Sequence, residues 1–188
     1  MKKQTLFLFL CGLFSWMNTA TAIEYNVLRH GVVGDGKTLN TDSLQAAIDN
    51  LHASGGGQLY FPAGRYLTGS LQLKSNVMLY LEKEAVLLGS TSPYDYPGFS
   101  TEKELKVNDD HFDQALIYAE GAENIGIRGE GCIDGQGREL ALTIDSLHHT
   151  GELVDKHYNT YRKRPNTRPK LLFIRGCRGV EIRKAHLR

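Results

Sequence analysis

The feature that most constrains the fold is an internal repeat of short apolar segments that are punctuated by glycine. The segment LIYAEGAENIGIRGEG (116–131) aligns over LLFIRGCRGVEIRKAH (171–186), so that Leu116 matches Leu171 and Ile127 matches Ile182. In a second match, SNVML (75–79) aligns over ENIGI (123–127). Repeats of this kind are typical of solenoids, in which each repeat buries its apolar face against the next. The sequence therefore predicts stacked strand–turn–strand coils.

Each interval between matched segments contains one polar stretch that matches no strand. These stretches, about 91–112 and about 138–169, are predicted to be loop insertions on one side of the coil. An antiparallel sandwich also has many short strands, but it does not explain the glycine-anchored matches, and no Asn-Gly hairpin signal separates the strands. The pattern favours an all-β fold, a parallel β-helix.

A single helix is predicted ahead of the strands, at about 42–52, and Gly55-Gly56-Gly57 ends it. Asp42 is predicted to be its N-cap, with Gln45 three residues later as in a capping box. A lone helix in this position is expected to cover the open apolar end of the coil stack. Its apolar face consists of Leu44, Ala47, Ile48 and Leu51.

The first 22 residues are typical of a secretory signal peptide. Lys2 and Lys3 precede an apolar run at 6–16, and Ala20-Thr21-Ala22 provides a small-residue cleavage site. The run has about 11 residues, whereas a membrane-spanning helix needs about 20. We expect the mature domain to comprise residues 23–188, to be secreted or periplasmic, and not to insert into a membrane.

Charge and cysteine content exclude other classes of function. Removal of residues 1–22 takes away two lysines and no acid, so the formal charge changes from +1 to −1. Neither nucleic acid nor a membrane surface is an expected partner. Cys132 and Cys177 have no metal-ligand spacing; they could pair in an oxidising compartment, but two buried thiols are favoured.

Three blocks in this order carry a resemblance to a known family. They are GDGKTLNTDSLQAAID (34–49), GGGQLYFPAGRYLTGSLQLKSNVMLYLEKEAVLLGS (55–90) and AENIGIRGEGCIDGQG (122–137). The chain resembles the N-terminal portion of glycoside hydrolase family 28, the polygalacturonases and related pectin hydrolases, from about residue 25 to 188. The resemblance implies a right-handed parallel β-helix and inverting hydrolysis of polygalacturonan or rhamnogalacturonan. We expect no cofactor and no metal. Inversion needs two carboxylates about 6.5–9.5 Å apart.

The catalytic motifs that the family supplies do not transfer to this chain. Asn40-Thr41-Asp42 resembles the first motif but falls at the start of the predicted helix, and Asp109-Asp110 falls in the first insertion. Ile182-Arg183-Lys184 is not the family's Arg-Ile-Lys, and no Gly-His-Gly is present. We expect that the β-helix is truncated after its first coils, and that this chain holds no catalytic residue and is inactive alone.

The second insertion is the expected substrate contact. Arginine binds carboxylates bidentately and tyrosine stacks on sugar rings, although a solvated loop would have the same composition. His148-His149 lacks a third ligand at usable spacing, so no metal site is expected. The candidate substrate-binding residues are Tyr158, Arg162, Arg164 and Arg168.

Two alternatives to a hydrolase fragment remain open on the same fold. One is a polysaccharide lyase, which removes a proton instead of using water. The other is a non-catalytic carbohydrate-binding or adhesin module. In each case the expected partner is an acidic plant polysaccharide, pectin.

Overall fold

The computed structural model describes residues 23–96, 115–152 and 169–188. Two α-helices are present in these ranges, α1 (Thr41–Ala53) and α2 (Gly137–Thr150), with short 3-10 turns at Val27–His30 and Pro93–Asp95. The strands are β1 (Ile23–Asn26), β2 (Gly57–Phe61), β3 (Gly64–Thr68), β4 (Leu71–Gln72), β5 (Val77–Leu81), β6 (Ala85–Gly89), β7 (Ala115–Glu120), β8 (Gly126–Gly129), β9 (Cys132–Asp134), β10 (Lys170–Arg175), β11 (Glu181–Arg183) and β12 (His186–Leu187).

The strands form three sheets, and every pairing between them is parallel. Sheet A has the order β1-β2-β5-β8-β11, sheet B the order β12-β9-β6-β3, and sheet C the order β10-β7-β4. The chain visits the sheets in the order A, B, C and then returns to A. This is a parallel β-helix, as the sequence predicts. Each coil has three strands rather than the two of the expected repeat unit, because β4 is too short to be recognised from its pattern.

The strand register agrees with both internal matches. Ile127 of β8 pairs with Ile182 of β11, as the first match aligns them. Leu79 of β5 pairs with Ile127, as the second match aligns them. In the coil without an insertion the step along the sequence is shorter, since Leu59 pairs with Leu79. Equivalent apolar residues therefore stack along the helix axis and form one continuous core.

Helix α1 covers the first coil and buries its predicted apolar face, which comprises Leu44, Ala47, Ile48 and Leu51. The start of the helix differs from the prediction. The N-cap residue is Asn40, and its side chain makes no cap hydrogen bond. The prediction that Asp42 is the N-cap is therefore wrong; Asp42 lies in the first turn.

The polar residues around the start of α1 instead satisfy strand edges that no strand covers. The Gln45 side chain accepts a hydrogen bond from Gln72 N at 2.8 Å and donates one to Gln72 O at 3.2 Å. Thr41 Oγ1 accepts from Gly69 N at 2.7 Å. Buried Asn40 donates to Leu67 O at 3.2 Å. Because unpaired strand edges invite wrong pairing, these side chains stand in for a neighbouring strand, which explains why Gln45 is not free to cap.

A left-handed turn recurs just before the strands of sheet A. Asn76 and Asn124 have φ of 65° and 53°, and Gly56 and Gly179 occupy the equivalent positions with φ of 111° and 62°. Asn124 Nδ2 donates to Asn76 Oδ1 at 3.1 Å. A Cβ on Gly56 would lie 2.4 Å from the Asn76 backbone oxygen. The glycine signal of the repeat thus marks backbone geometry that few other residues adopt.

Both insertions leave the coil between sheet B and sheet C. The second begins with α2, a helix in a region that the sequence predicts to be a loop. Its Leu140 and Ile144 are buried, and Leu140 lines a small cavity with Leu116 and Leu171 from the outer side of sheet C. Helix α2 is therefore packed onto the β-helix.

Cys132 and Cys177, the cysteines of the described residues, form no disulfide and are half-buried. Burial, followed by the Asp134 carboxylate, raises the pKa of the Cys132 thiol. The sequence favoured two buried thiols. Both thiols are free, but they are half-buried and not fully buried.

Candidate functional site

The outer face of sheet C is the candidate site. Along β7, Ile117 and Ala119 point into the apolar core, so Tyr118 and Glu120 lie on the opposite face. On β10, the residues in register with Tyr118 and Glu120 are Phe173 and Arg175. The strands β7 and β10, which form this face, each follow one of the two insertions in the sequence. The face combines aromatic and charged side chains.

The two aromatic rings stack across neighbouring coils. The centroids of Tyr118 and Phe173 lie 5.6 Å apart, and the ring planes differ by 4°. Lys170 Nζ lies 5.6 Å from the Phe173 centroid, in a cation–π position. The parallel pairing of β7 with β10 sets the spacing of the strands that carry the stack.

A hydrogen-bonded chain of three polar groups adjoins the rings. The Tyr118 hydroxyl donates to Glu120 Oε2, and Arg175 forms an ion pair with Glu120 Oε1. The hydrogen bond from Tyr118, followed by that from Arg175, holds the pKa of Glu120 below its usual value. Burial, with a contribution from Glu120, raises the pKa of Tyr118 to about 12. Near neutral pH, Glu120 is therefore a carboxylate and Tyr118 a phenol, so Glu120 has no proton to give to a glycosidic oxygen.

The IDGQG motif has a structural role beside this face. Asp134 Oδ1 accepts a hydrogen bond from Gln136 N at 3.0 Å, and its other oxygen forms an ion pair with Arg188 of the next coil. Gln136 adopts a left-handed conformation and donates to Gly89 O at 2.6 Å. Burial alone would raise the pKa of Asp134, but Arg188 and the Gln136 N–H outweigh it and keep that pKa low. The motif fixes the point at which the second insertion leaves the coil.

The predicted substrate-binding residues, together with Asp109-Asp110, lie outside the described residues. The segment that carries the predicted substrate-binding residues lies between helix α2 and Lys170 in the sequence. On α2, His149 Nδ1 lies 2.7 Å from the backbone oxygen of Asp145. Within the described ranges, no three His, Cys, Asp or Glu side chains converge as metal ligands would. The predicted substrate-binding residues that lie outside the described ranges are Tyr158, Arg162, Arg164 and Arg168.

Sequence reasoning missed the outer face of sheet C, although the signal was present. The first internal match places Tyr118 over Phe173 and Glu120 over Arg175. An aromatic pair and an opposite-charge pair in register indicate neighbours on one face of a parallel sheet. Reading the outward positions of the match, and not only its apolar and glycine positions, would have found them.

The three parallel sheets and their repeated order place the chain in one class, the right-handed parallel β-helix proteins. The family model for rhamnogalacturonase A/epimerase, pectate lyase-like proteins matches residues 25–144, and the chain belongs to this family. The similarity to glycoside hydrolase family 28 and the right-handed parallel β-helix are both confirmed.

Two curated relatives are polygalacturonases by name. A probable polygalacturonase of Vitis vinifera is 41% identical over 117 residues, which is 57% of this chain and 23% of the relative. The exo-poly-alpha-D-galacturonosidase of Dickeya chrysanthemi is 37% identical over 141 residues, which is 70% of this chain and 23% of the relative. The chain therefore spans less than a quarter of the length of these relatives.

A solved structure with a similar fold also belongs to glycoside hydrolase family 28. The family 28 exopolygalacturonase of Yersinia enterocolitica superposes with a TM-score of 0.68 at 28% identity, over 89% of this chain and 35% of that chain. Among the described residues, no helix has the length and apolar character needed to cross a membrane.

Proposed function

We propose that this chain is the part of a secreted or periplasmic pectin-degrading glycoside hydrolase that starts the β-helix and supplies one wall of the substrate cleft. The observation that carries the proposal is the outer face of sheet C. The half-buried Phe173 ring, which buried Tyr118 supports by stacking, and the cations beside it suit a chain of uronic acid units. Aromatic rings pack against sugar faces, and Arg and Lys bind carboxylates.

The second insertion extends this wall in the proposal. It departs through α2 and returns at Lys170, the residue whose ammonium group lies over the Phe173 ring. Cations in the insertion would add carboxylate contacts to those of sheet C. The proposed contacts are Tyr158, Arg162, Arg164 and Arg168.

Binding to polygalacturonate tests the wall. The double variant R162Q/R164Q should bind at least about tenfold more weakly in affinity electrophoresis, which corresponds to about 1.4 kcal/mol. Arg29→Gln is the matched control, since Arg29 is exposed on the 3-10 turn before α1. The mobility of each protein is compared with its own mobility in a gel without polygalacturonate, because the substitutions change the net charge. Equal retardation of the wild type and the double variant by polygalacturonate would contradict the proposal.

Bond cleavage by this chain alone is not expected. Inversion needs an acid and a base about 6.5–9.5 Å apart, while Asp42 belongs to the cap helix and Glu120 is held ionised. Purified chain mixed with polygalacturonate should release no new reducing ends. Sustained release that survives repurification would show that the chain has its own catalytic residues.

The alternatives give different results in the same reaction. A polysaccharide lyase would form unsaturated products that absorb in the near ultraviolet, which hydrolysis does not. A non-catalytic binding or adhesin module would bind pectin fragments saturably without turnover. Reading the gene beyond codon 188 separates that module from a hydrolase part, because only the hydrolase needs in-frame Gly-His-Gly and Asp-Asp motifs.

Export can be tested on its own. A signal peptide at residues 1–22 predicts that the mature protein begins at Ile23. N-terminal sequencing of protein from the periplasm or the medium should give IEYNVL. A Lys2 or Lys3 retained at the N-terminus of the exported protein would contradict cleavage.

A further inference from the structure

A polar depression lies on the outer face of sheet A, on a different sheet from the face described above. Its volume is about 550 Å³, which is within the range of small-ligand sites. Three successive coils contribute to it through β5, β8, β11 and the turns that follow them. The side chains that line it are Tyr80, Glu82, Lys83, Arg128, Glu130, Glu181, Arg183 and Lys184.

One carboxylate holds two guanidinium groups in this depression. Glu181 Oε2 forms an ion pair with Arg128, and Glu181 Oε1 lies 2.7 Å from Arg183 Nε. The Glu181 side chain is 26% exposed, whereas those of Arg128 and Arg183 are 46% and 76% exposed. The shared carboxylate therefore orients two arginines whose remaining N–H groups face solvent.

The charges in the depression are mixed, with a cationic excess. Four cations and three carboxylates line it. Lys184 pairs with Glu130 at 3.5 Å, and both side chains are more than half exposed. Because the arginine pair shares one carboxylate, a positive charge remains available to an anionic ligand.

The depression has one aromatic lining residue, which a second ring supports. Tyr80 lines it and stacks on Tyr60, with centroids 5.8 Å apart and ring planes at 25°. Burial, followed by a hydrogen bond to Glu82, raises the pKa of Tyr60. The Tyr60 phenol thus stays neutral and hydrogen-bonds Glu82, whose carboxylate lines the depression.

We propose that this depression is a second carbohydrate site, which binds a short carboxylated oligosaccharide. Its guanidinium groups match a sugar carboxylate, Glu82 and Glu130 can accept hydrogen bonds from sugar hydroxyls, and Tyr80 offers an aromatic surface. The inference goes beyond the proposed function, since it concerns another sheet and needs no cleavage. A site of this kind would hold a polymer on the β-helix away from the sheet C face.

Titration of the full chain with tetragalacturonate tests the proposal by calorimetry and by NMR. In the double variant R128Q/R183Q, binding at sheet A should weaken at least about tenfold. Both guanidinium groups that would donate hydrogen bonds to the sugar carboxylate are lost. Arg178→Gln is the matched control: Arg178 lies on the turn before β11, is 85% exposed and pairs with Glu123 at 3.6 Å. It does not line the depression.

The outcomes separate this site from the sheet C face. Loss in R128Q/R183Q with retention in R178Q and R162Q/R164Q supports the second site. Equal weakening in R178Q, or equal affinity for neutral maltotetraose, would overturn it. Binding that only R162Q/R164Q weakens would also overturn it, while leaving the proposed function intact. Circular dichroism melts of each variant show whether a loss reflects unfolding.

Discussion

At the residue scale, the conformation of single turn residues decides whether coils can stack. Asn76 and Asn124 occupy the left-handed region and are joined by a side-chain hydrogen bond of 3.1 Å. Asparagine adopts this region more readily than other residues with a Cβ. The turn therefore supports the stacking through both its backbone and its amide.

Replacing Asn124 separates these two contributions. Asn124→Ala should lower the free energy of unfolding by about 1–2 kcal/mol, because alanine is strained at positive φ. Asn124→Gly keeps the conformation and loses only an exposed hydrogen bond, so its cost should stay below about 1 kcal/mol. Urea denaturation compares the two variants. A larger loss for glycine than for alanine would contradict a conformational role.

Asp134 gives the molecule a defined pH dependence. Its pKa in the folded chain is low because Arg188 and the Gln136 N–H outweigh the effect of burial. The folded pKa lies below the unfolded one, so this stabilisation is present above about pH 4 and is lost as pH falls through the folded pKa.

Asp134→Asn tests that dependence. The variant should be less stable than the wild type at neutral pH, and the difference should shrink as pH falls below about 4. Urea midpoints measured between neutral and acidic pH give this difference directly. A gap between the two proteins that is constant with pH would show that Asp134 contributes through packing alone.

At the element scale, equivalent strands have different exposure. Ile127 of β8 is buried between Leu79 and Ile182 of its neighbouring strands. Ile182 of β11 is 43% exposed. The same residue type in the same register therefore contributes differently, according to whether strands pair on both sides.

The two isoleucines make a matched pair of variants. Ile127→Ala should cost about 2–5 kcal/mol, because it leaves a cavity in a packed core. Ile182→Ala should cost less than about 1 kcal/mol, since its site is already open to solvent. Chemical denaturation at one pH measures both. Similar losses for the two would mean that β11 is buried in solution by a further contact.

At the scale of the whole molecule, the β-helix is a one-dimensional stack whose coils contact only their neighbours. Strands β5 and β8 pair on both sides, whereas β11 and β12 each pair on one side in the part of the chain described here. Stability should therefore be graded along the axis.

Amide hydrogen exchange measures this gradient. Peptides that cover β5 and β8 should exchange more slowly than those that cover β11 and β12, because local opening of a singly paired strand breaks fewer contacts. Mass spectrometry of digested, deuterated protein resolves these peptides. Uniform protection along the axis would indicate that the coils unfold as one cooperative unit.

Local pattern determined the parallel coils, the cap helix and the alignment of matched strands in this protein. Apolar residues repeat in register because they stack, and glycine or asparagine recurs where φ must be positive. Both signals are therefore visible as repeats in the amino-acid sequence. The family likeness rests on the same positions.

Only the tertiary structure decided what the polar residues do. Asp42 and Gln45 have the spacing of a capping box, yet Gln45 hydrogen-bonds the edge of β4, far along the chain. The Tyr118–Phe173 stack and the pairing of Arg128 with Glu181 likewise join residues of different coils. Side-chain polarity shows that a partner is needed, but which partner lies within reach depends on how the coils bring distant strands together.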